Sequence, residues 1–352
     1  MRKELNLFID PRSKLPLELK VKKEANGHII SGMLFNKKNK YPIINGVPRF
    51  VLETANLAEK QTKVSFGMKW REKRNRLLGY SQPDVKALQE QFMAVLGCSG
   101  MSELYGVLRK SRKALNAGCG VAWSEFLFNR NKGGQRHCID ISMAVETAFN
   151  NTKRLENVVI SQASIFELPY KNEVFDLIYS LGVIHHTPDP RAAVLKLSEK
   201  LMPKGILGLY VYNKKPFLRE LADSQIRNIT TNMSYGQCLK FSKEMTALGE
   251  AFSQVKKPLL IKESIPLLGI KKGKYDLQNF IYNHFIKCWF NNKADRNLAD
   301  LINQDWYHPA YASHHTKEEI LGWLKDAGIG KIKIIQPKGW ECSGYFISGR
   351  KA

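Results

Sequence analysis

A chain of 352 residues, 43% hydrophobic and 25% charged, is long enough for one large domain with additions and has the composition of an ordinary globular protein. No stretch approaches the roughly 18 apolar residues of a membrane span, and the start Met1-Arg-Lys-Glu-Leu-Asn6 lacks the apolar segment of a secretory signal, so a cytoplasmic protein is expected. The formal charge of +23 is spread along the chain with some enrichment in residues 1–85; it favours anionic partners such as nucleic acid, a lipid surface or a phosphorylated metabolite, although a generally lysine-rich proteome would give the same balance.

Residues 1–60 read as a small β-rich segment. Leu17–Lys22 and His28–Leu34 are β-like, and Asn45-Gly46 between apolar pairs in Tyr41–Val51 signals a hairpin. The segment is too small to bury much by itself and is expected to pack on the rest of the chain. The six cysteines (Cys98, Cys119, Cys138, Cys238, Cys288 and Cys342) form no C-x-x-C pair. That spacing argues against a zinc ribbon or a disulfide framework, and no metal site is expected.

Residues 61–352 are expected to form one domain. A helix is predicted over 83–96. From Arg112 to Asn213, β-like runs (113–116, 136–140, 158–163, 175–180 and 206–212) alternate with helix-like stretches (122–130, 142–150 and 189–201). That alternation predicts an α/β fold, a parallel sheet with helices on both faces. A helical, aromatic-containing insertion follows the fifth strand over about 214–305. Its Phe280, Tyr282, Phe285, Trp289 and Phe290 at helix-like spacing are expected to be core. Thr316-Lys-Glu-Glu319 has the pattern of a capping box, opening a helix over 316–327. Two β-like pieces, 331–336 and 344–348, end the chain.

In an open α/β sheet, ligands bind beyond the carboxyl ends of the strands. Lys113-Ala-Leu-Asn-Ala-Gly-Cys-Gly-Val-Ala122 reads as such a strand-to-helix turn. Gly118 and Gly120 permit the tight turn and a close approach of the backbone to a ligand. Asp140 ends the next β-like run, 22 residues after Gly118. It is placed to hydrogen-bond both ribose hydroxyls of an adenosine, or alternatively to cap a helix before Ser142.

The whole run resembles the class I S-adenosylmethionine-dependent methyltransferases of the type 11 kind. Leu115-Asn-Ala-Gly-Cys-Gly120 resembles their glycine motif, and Ile139-Asp-Ile-Ser142 their ribose-binding strand end. Ser164-Ile-Phe-Glu-Leu-Pro-Tyr170 is similar to their adenine-side loop. Phe175–Asp189 is similar to the fourth strand and its exit, and Leu201–Leu207 to the turn into the fifth. Tyr41–Phe50 is similar to the tail of a zinc-ribbon-like domain that precedes some of these enzymes, here without its cysteines. Ser65–Trp70 and Asp305–Thr316 are similar to flanking signatures of the same subgroup. The resemblance implies a Rossmann-like methyltransferase sheet and S-adenosylmethionine as cofactor. It implies a cofactor site built from Asn116, Ala117, Gly118, Cys119, Gly120, Asp140, Ile141, Ser164, Ile165, Ser180 and Leu181. Three positions depart from the family pattern: Asn116 and Ser164 stand where acids are usual, and Ala122 replaces the third glycine.

Methyl transfer needs an aligned nucleophile, and a base only if that nucleophile is protonated. His185 or His186, after the fourth strand, is a candidate base, although packing beside the cofactor pocket is an equally simple role. Tyr212, His314 and His315 are candidate acceptor contacts, with His308 and Tyr311 in a lid-like stretch. The expected reaction is methylation of a small metabolite or natural-product-like acceptor, an anionic one if the positive charge serves binding. An RNA or protein methyltransferase is the alternative, supported by Lys37, Lys38, Lys40, Lys69, Arg71, Lys73, Arg74 and Arg76 near Trp70 and Tyr80. A non-catalytic cofactor-binding scaffold is the third. The oligomeric state is not readable.

Overall fold

The computed structural model describes residues 1–3, 6–51, 56–71, 82–128, 133–292, 295–336 and 343–352, with the side chains of 71 and 82–84 excluded. The chain forms two compact units, Met1–Tyr212 with His315–Ala352, and Asn213–His314. No helix among the described residues is long and apolar enough to cross a membrane.

The first unit begins with a four-stranded antiparallel sheet of β1 (Glu18–Ala25), β2 (His28–Phe35), β3 (Lys40–Ile44) and β4 (Val47–Pro48). Two of its turns are Asn-Gly pairs, Asn26-Gly27 at φ 50° and 71° and Asn45-Gly46 at φ 51° and 82°. Positive φ at both residues gives the turn a twist that matches the strands it joins, which is why Asn-Gly is favoured there. β1 is an exposed edge bearing Lys20, Lys22 and Lys23, a composition that discourages edge-to-edge pairing. The loop before it is organised by Asp10, whose buried carboxylate accepts from the Arg12 and Ser13 amides, the Tyr41 hydroxyl and the Asn36 and Asn39 side chains. Beyond β4 the chain bonds to the end of a later strand, with the Phe50 amide 2.8 Å from the Gln162 carbonyl. Arg49 forms an ion pair with Glu146.

Next come α1 (Leu57–Arg71), α2 (Gln82–Val95), α3 (Met101–Lys110), β5 (Lys113–Ala117), α4 (Trp123–Phe128), β6 (Gln135–Asp140), α5 (Ala144–Thr152), β7 (Val158–Gln162), β8 (Phe175–Leu181), α6 (Pro190–Lys200) and β9 (Leu201–Tyr212). α1 and α3 have no counterpart in the sequence expectation, α5 lies two residues beyond the expected 142–150, and two further elements differ for a local reason. The helix predicted from Ala122 starts one residue later, because Ala122 itself is left-handed at φ 58°, and its predicted residues 129 and 130 lie outside the described ones. The fifth strand starts at Leu201 rather than Ile206. Its ladder with β8 jumps from Phe175–Leu201 to Leu177–Ile206, since Pro203 has no amide to donate and Lys204 is left-handed at φ 64°.

The second unit contains α7 (Phe217–Thr230), α8 (Tyr235–Gln254), a two-stranded sheet of β10 (Leu259–Ile261) and β11 (Gly273–Tyr275), α9 (Leu277–His284) and α10 (Arg296–Tyr307). Its interior is partly polar. Asn303 holds both backbone groups of Trp289, and Gln304 accepts from the Ser242 hydroxyl. The aromatic run expected to be helical stops being so at His284. The Phe285 and Ile286 amides still bond the Ile281 carbonyl, and from Lys287 the backbone bonds to side chains: Asp223 takes the Lys287 amide, and Gln278 donates to the Cys288 carbonyl.

The chain then returns to the first unit with α11 (Lys317–Asp326), β12 (Ile329–Ile335) and β13 (Gly344–Lys351). The capping box at Thr316 and Glu319 is present. β12 and β13 complete a seven-stranded sheet of order β12-β13-β9-β8-β5-β6-β7, in which β5 to β9 run parallel and β13 runs antiparallel to both neighbours. Successive side chains leave a strand on opposite faces, so each central strand feeds two cores. Leu115, Ile139, Ile178 and Leu207 share one core with Leu197, Trp323 and the amino-terminal sheet. Leu177 and Tyr179 pack with Phe92, Leu104 and Phe128 on the other face. Cys98, Cys119, Cys138, Cys238 and Cys288 are buried free thiols, and Cys342 lies outside the described residues.

His137 on β6 is fully buried between the rings of Phe8, Tyr170 and Phe175, and neither ring nitrogen has a hydrogen-bond partner among the described residues. Burial, aided by Lys113, pushes its pKa down to about 3. A lowered histidine pKa means that the unfolded chain takes up the proton first, so stability falls as pH drops below about 6.5, by about 1.4 kcal/mol per unit. His137→Phe should remove this slope. In urea unfolding, the wild type should lose about 2 kcal/mol more than the variant between pH 7 and pH 5; equal losses would contradict the buried, neutral imidazole.

Candidate functional site

The order of strands reverses between β5 and β8. The chain runs outward from β5 through β6 to β7 and then crosses back to pair β8 with β5. The turns leaving these two strands therefore diverge at the carboxyl edge of the sheet, which leaves a crevice. The Ser180 hydroxyl clips the two strands together there, donating to the Ala117 carbonyl at 2.7 Å.

The turn after β5 is held by its neighbours. The Gly118 and Cys119 amides both donate to the Ile139 carbonyl at 2.8 Å, and the Gly120 amide donates to Asp140 Oδ2 at 2.9 Å. Gly118 and Gly120 have φ of 81° and 53°, which other residues adopt only with strain. Contacts enforce the same choice. A Cβ on Gly118 would lie 2.2 Å from Val183 Cγ2, and one on Gly120 would lie 2.9 Å from the Trp70 indole.

Asp140 shapes the turn that follows it as well as facing the crevice. Oδ1 accepts from the Ser142 amide at 2.8 Å and from the Ser142 hydroxyl at 2.6 Å, which sets the entry to α5. Among the described residues Oδ2 accepts only the Gly120 amide, and it keeps a lone pair for a further donor. Burial raises the Asp140 pKa, while the bonds from Ser142 and Gly120 pull it back. The sequence predicts a carboxylate that bonds both hydroxyls of a ribose; with Oδ1 filled by Ser142, Oδ2 is the atom left for a hydroxyl. Ile141 offers its carbonyl to Gln162 Nε2 at 3.1 Å. Ser164 caps the short turn Ile165–Glu167 by accepting from the Phe166 amide, and Ile165 is buried. Leu181 ends β8 and is half-buried.

Asn116 projects to the opposite face from Ala117. Its Nδ2 donates to Ser124 Oγ at 3.1 Å and to both oxygens of Glu125 at 3.1 and 3.2 Å. Glu125 is itself buried and also receives the hydroxyls of Ser124 and Tyr179. A buried carboxylate, Glu125 of α4, thus stands beside position 116. Sequence reasoning misses it, because a Glu inside a helix gives no signal of burial.

After β8, Ile184–His186 form one short turn, and Asp189 caps α6 by accepting from the Ala192 amide at 2.9 Å. His185 is fully buried and stacks on Tyr212 with ring centroids 3.6 Å apart, and its Nδ1 accepts from the Tyr212 amide at 3.3 Å. That bond assigns the neutral ring's proton to Nε2. His186 is 8% exposed and packs its ring 4.9 Å from Phe66. The His315 amide donates to the Tyr212 carbonyl at 3.0 Å, and its ring packs on Trp323. His314 belongs to the second unit, where it stacks on Trp306 and bonds Glu220. The structure thus brings His185, His186, Tyr212 and His315 together in the first unit, while His314 joins a different cluster. Phe66 extends the first group from α1, and Trp70 of the same helix lies against Gly120, with Lys69 over the Trp70 ring at 4.5 Å. The Arg71 side chain, Lys73, Arg74, Arg76 and Tyr80 lie outside the described residues.

The Asn116–Glu125 contact makes a sharp test. Asn116→Asp would set two buried carboxylates against each other and should cost about 2–4 kcal/mol of stability. Adding Glu125→Gln should recover most of that loss in urea unfolding. A single variant as stable as the wild type would show that the two side chains do not meet.

Residues 115–209 match the family model described as a methyltransferase domain. An uncharacterized protein of a Synechococcus strain is 29% identical over 260 residues, 71% of this chain and 54% of that protein, so the chain spans about half the length of this relative. Among solved structures, magnesium protoporphyrin IX methyltransferase of Synechocystis PCC 6803, with bound S-adenosylhomocysteine, is 13% identical with a TM-score of 0.43, over 84% of this chain and 100% of that one. The N-methyltransferase NodS of Bradyrhizobium japonicum, also in complex with S-adenosylhomocysteine, is 14% identical with a TM-score of 0.43, over 83% of this chain and 98% of that one. Residues 115–209, which run from β5 into β9 and carry the glycine turn and the acidic end of the second strand, are thus a methyltransferase domain.

Proposed function

We propose that the chain methylates a small metabolite or natural-product-like acceptor, and that the cofactor lies in the crevice beside the turn after β5. The observation that carries the reading is the Gly118–Gly120 turn at the switch point, with the Asp140 carboxylate locked against it and Oδ2 open to one more donor. Bound S-adenosylmethionine supplies a methyl group already activated on a sulfonium. The residues of this chain then have three tasks. Asp140 Oδ2 accepts a ribose hydroxyl, and the backbone around Gly118 and Cys119 approaches the ligand closely because no Cβ stands at Gly118. Ser164 and Ile165 border the adenine side. Phe66, Trp70 and Tyr212 exclude water, which matters because alignment and desolvation are most of what an in-line displacement requires.

A proton on the acceptor must leave when the new bond forms. Of the two histidines, His186 is the better base, because the Tyr212 amide occupies Nδ1 of His185 and leaves Nε2 of that ring protonated. His185 is the positioning residue that fixes the Tyr212 backbone.

Calorimetric titration with S-adenosylmethionine and S-adenosylhomocysteine should show saturable binding. Asp140→Ala should weaken it at least tenfold, about 1.4 kcal/mol, with the variant still folded by circular dichroism. A wild type that binds neither compound would overturn the reading and leave a scaffold built on a methyltransferase fold.

A further inference from the structure

The second unit contains a group of buried cations that the methyl-transfer reading does not use. Arg219 is 1% exposed, Lys287 5% and Lys215 6%. All three surround one indole, lying 5.2, 4.8 and 5.2 Å from the Trp306 ring centroid, and Arg219 and Lys287 each lie 5.0 Å from the ring of Tyr282. Aromatic faces attract cations, but three buried positive charges around one ring also repel one another.

The carboxylates in the cluster are already engaged. Asp223 Oδ2 accepts from Arg219 Nε at 2.6 Å and from the Trp306 indole at 2.7 Å, and its Oδ1 accepts the Lys287 backbone amide at 3.3 Å. Glu220 accepts the Lys215 backbone amide at 2.6 Å and bonds His314 Nδ1 at 2.9 Å. The Lys287 ammonium donates to the Tyr282 hydroxyl at 3.3 Å, and among the described residues no carboxylate stands within salt-bridge distance of it. Arg219 Nη2 is buried with no hydrogen-bond partner among the described residues, although Nε and Nη1 are both bonded. Burial lowers the His314 pKa, so that ring adds no charge near neutrality. Lys215 Nζ donates to Asn213 Oδ1, whereas the Lys287 ammonium has no carboxylate within salt-bridge distance among the described residues and one buried guanidinium nitrogen of Arg219 is left without an acceptor among them. A compact oxyanion would add one negative charge and several lone pairs.

We propose that the Lys287 ammonium and Nη2 of Arg219 form a buried oxyanion-binding site in the second unit, which takes the carboxylate or phosphate group of a small organic acid or phosphate monoester. The site stands on these two groups and does not depend on the methyltransferase reading.

The test titrates the full chain with inorganic phosphate and, separately, with acetate, against sodium chloride at equal ionic strength, read by thermal unfolding and calorimetry. The expected result is saturable stabilisation by one or both oxyanions that chloride does not reproduce. A response to phosphate alone identifies a phosphate-bearing ligand, and a response to acetate alone a carboxylate. Lys287→Met, which keeps the aliphatic stem, should weaken the response at least tenfold, while Lys20→Gln on exposed β1 should leave it unchanged. S-Adenosylmethionine affinity measured in the same Lys287→Met protein should stay at the wild-type level, so loss of this site is distinguishable from failure of the cofactor reading. Equal responses in wild type and Lys287→Met, or no response beyond chloride, would overturn the proposal and make the cluster a packing device.

Discussion

One hydrogen bond, from the Gly120 amide to the Asp140 carboxylate, links the two turns on which the crevice at the carboxyl edge of the sheet depends. The turn after β5 carries the glycines and the turn after β6 carries the acid. Each is short: the first is also held by the Ile139 carbonyl, and the second by the Ser142 amide and hydroxyl. The carboxylate is buried, and burial raises its pKa, so the bonds from Gly120 and Ser142 do more than orient it: they offset much of the cost of keeping a charge out of water. A further donor at Oδ2 would reduce that cost again. A ligand donor and the turn thus draw on different lone pairs of the same carboxylate.

The departures from the family pattern are each absorbed locally. Asn116 lacks the usual charge, but its amide nitrogen bonds the buried Glu125, so a carboxylate sits on the same side of β5 with Ser124 and Tyr179 completing its partners. Ala122 replaces a glycine yet keeps a glycine-like φ of 58°, held by the bond from its amide to the Cys119 carbonyl. A left-handed alanine costs on the order of 1 kcal/mol, which the surrounding packing of a fully buried residue sustains. Ser164 uses its hydroxyl to cap the turn that follows it.

The two units are stabilised in different ways. The first has apolar cores on both faces of a central sheet, and the polar groups that shape its crevice sit at the carboxyl edge. The second buries an ion pair, Arg219 with Asp223, together with asparagine and glutamine side chains that replace backbone partners. Such interiors gain less from burial and more from geometric specificity, since each polar group must find its own partner.

Much of this protein is legible in the sequence. Strand and helix alternation from Arg112 to Asn213 follows from side-chain periodicity, which is local, and the Asn-Gly turns and the Thr316 capping box follow from the φ angles and side-chain bonds those residues favour. The glycine turn and Asp140 are legible because their spacing is a property of one βαβ unit. Other features depend on residues far apart in the chain. The burial of Glu125 depends on Tyr179, the tautomer of His185 on the backbone of Tyr212, and the contact at Gly120 on Trp70 of α1. The separation of His314 from His315 is equally hidden, since adjacent residues belong to different units only once both units have closed. Local preferences determine which elements form; which side chains meet is decided by packing between elements, and that information exists only in the folded chain.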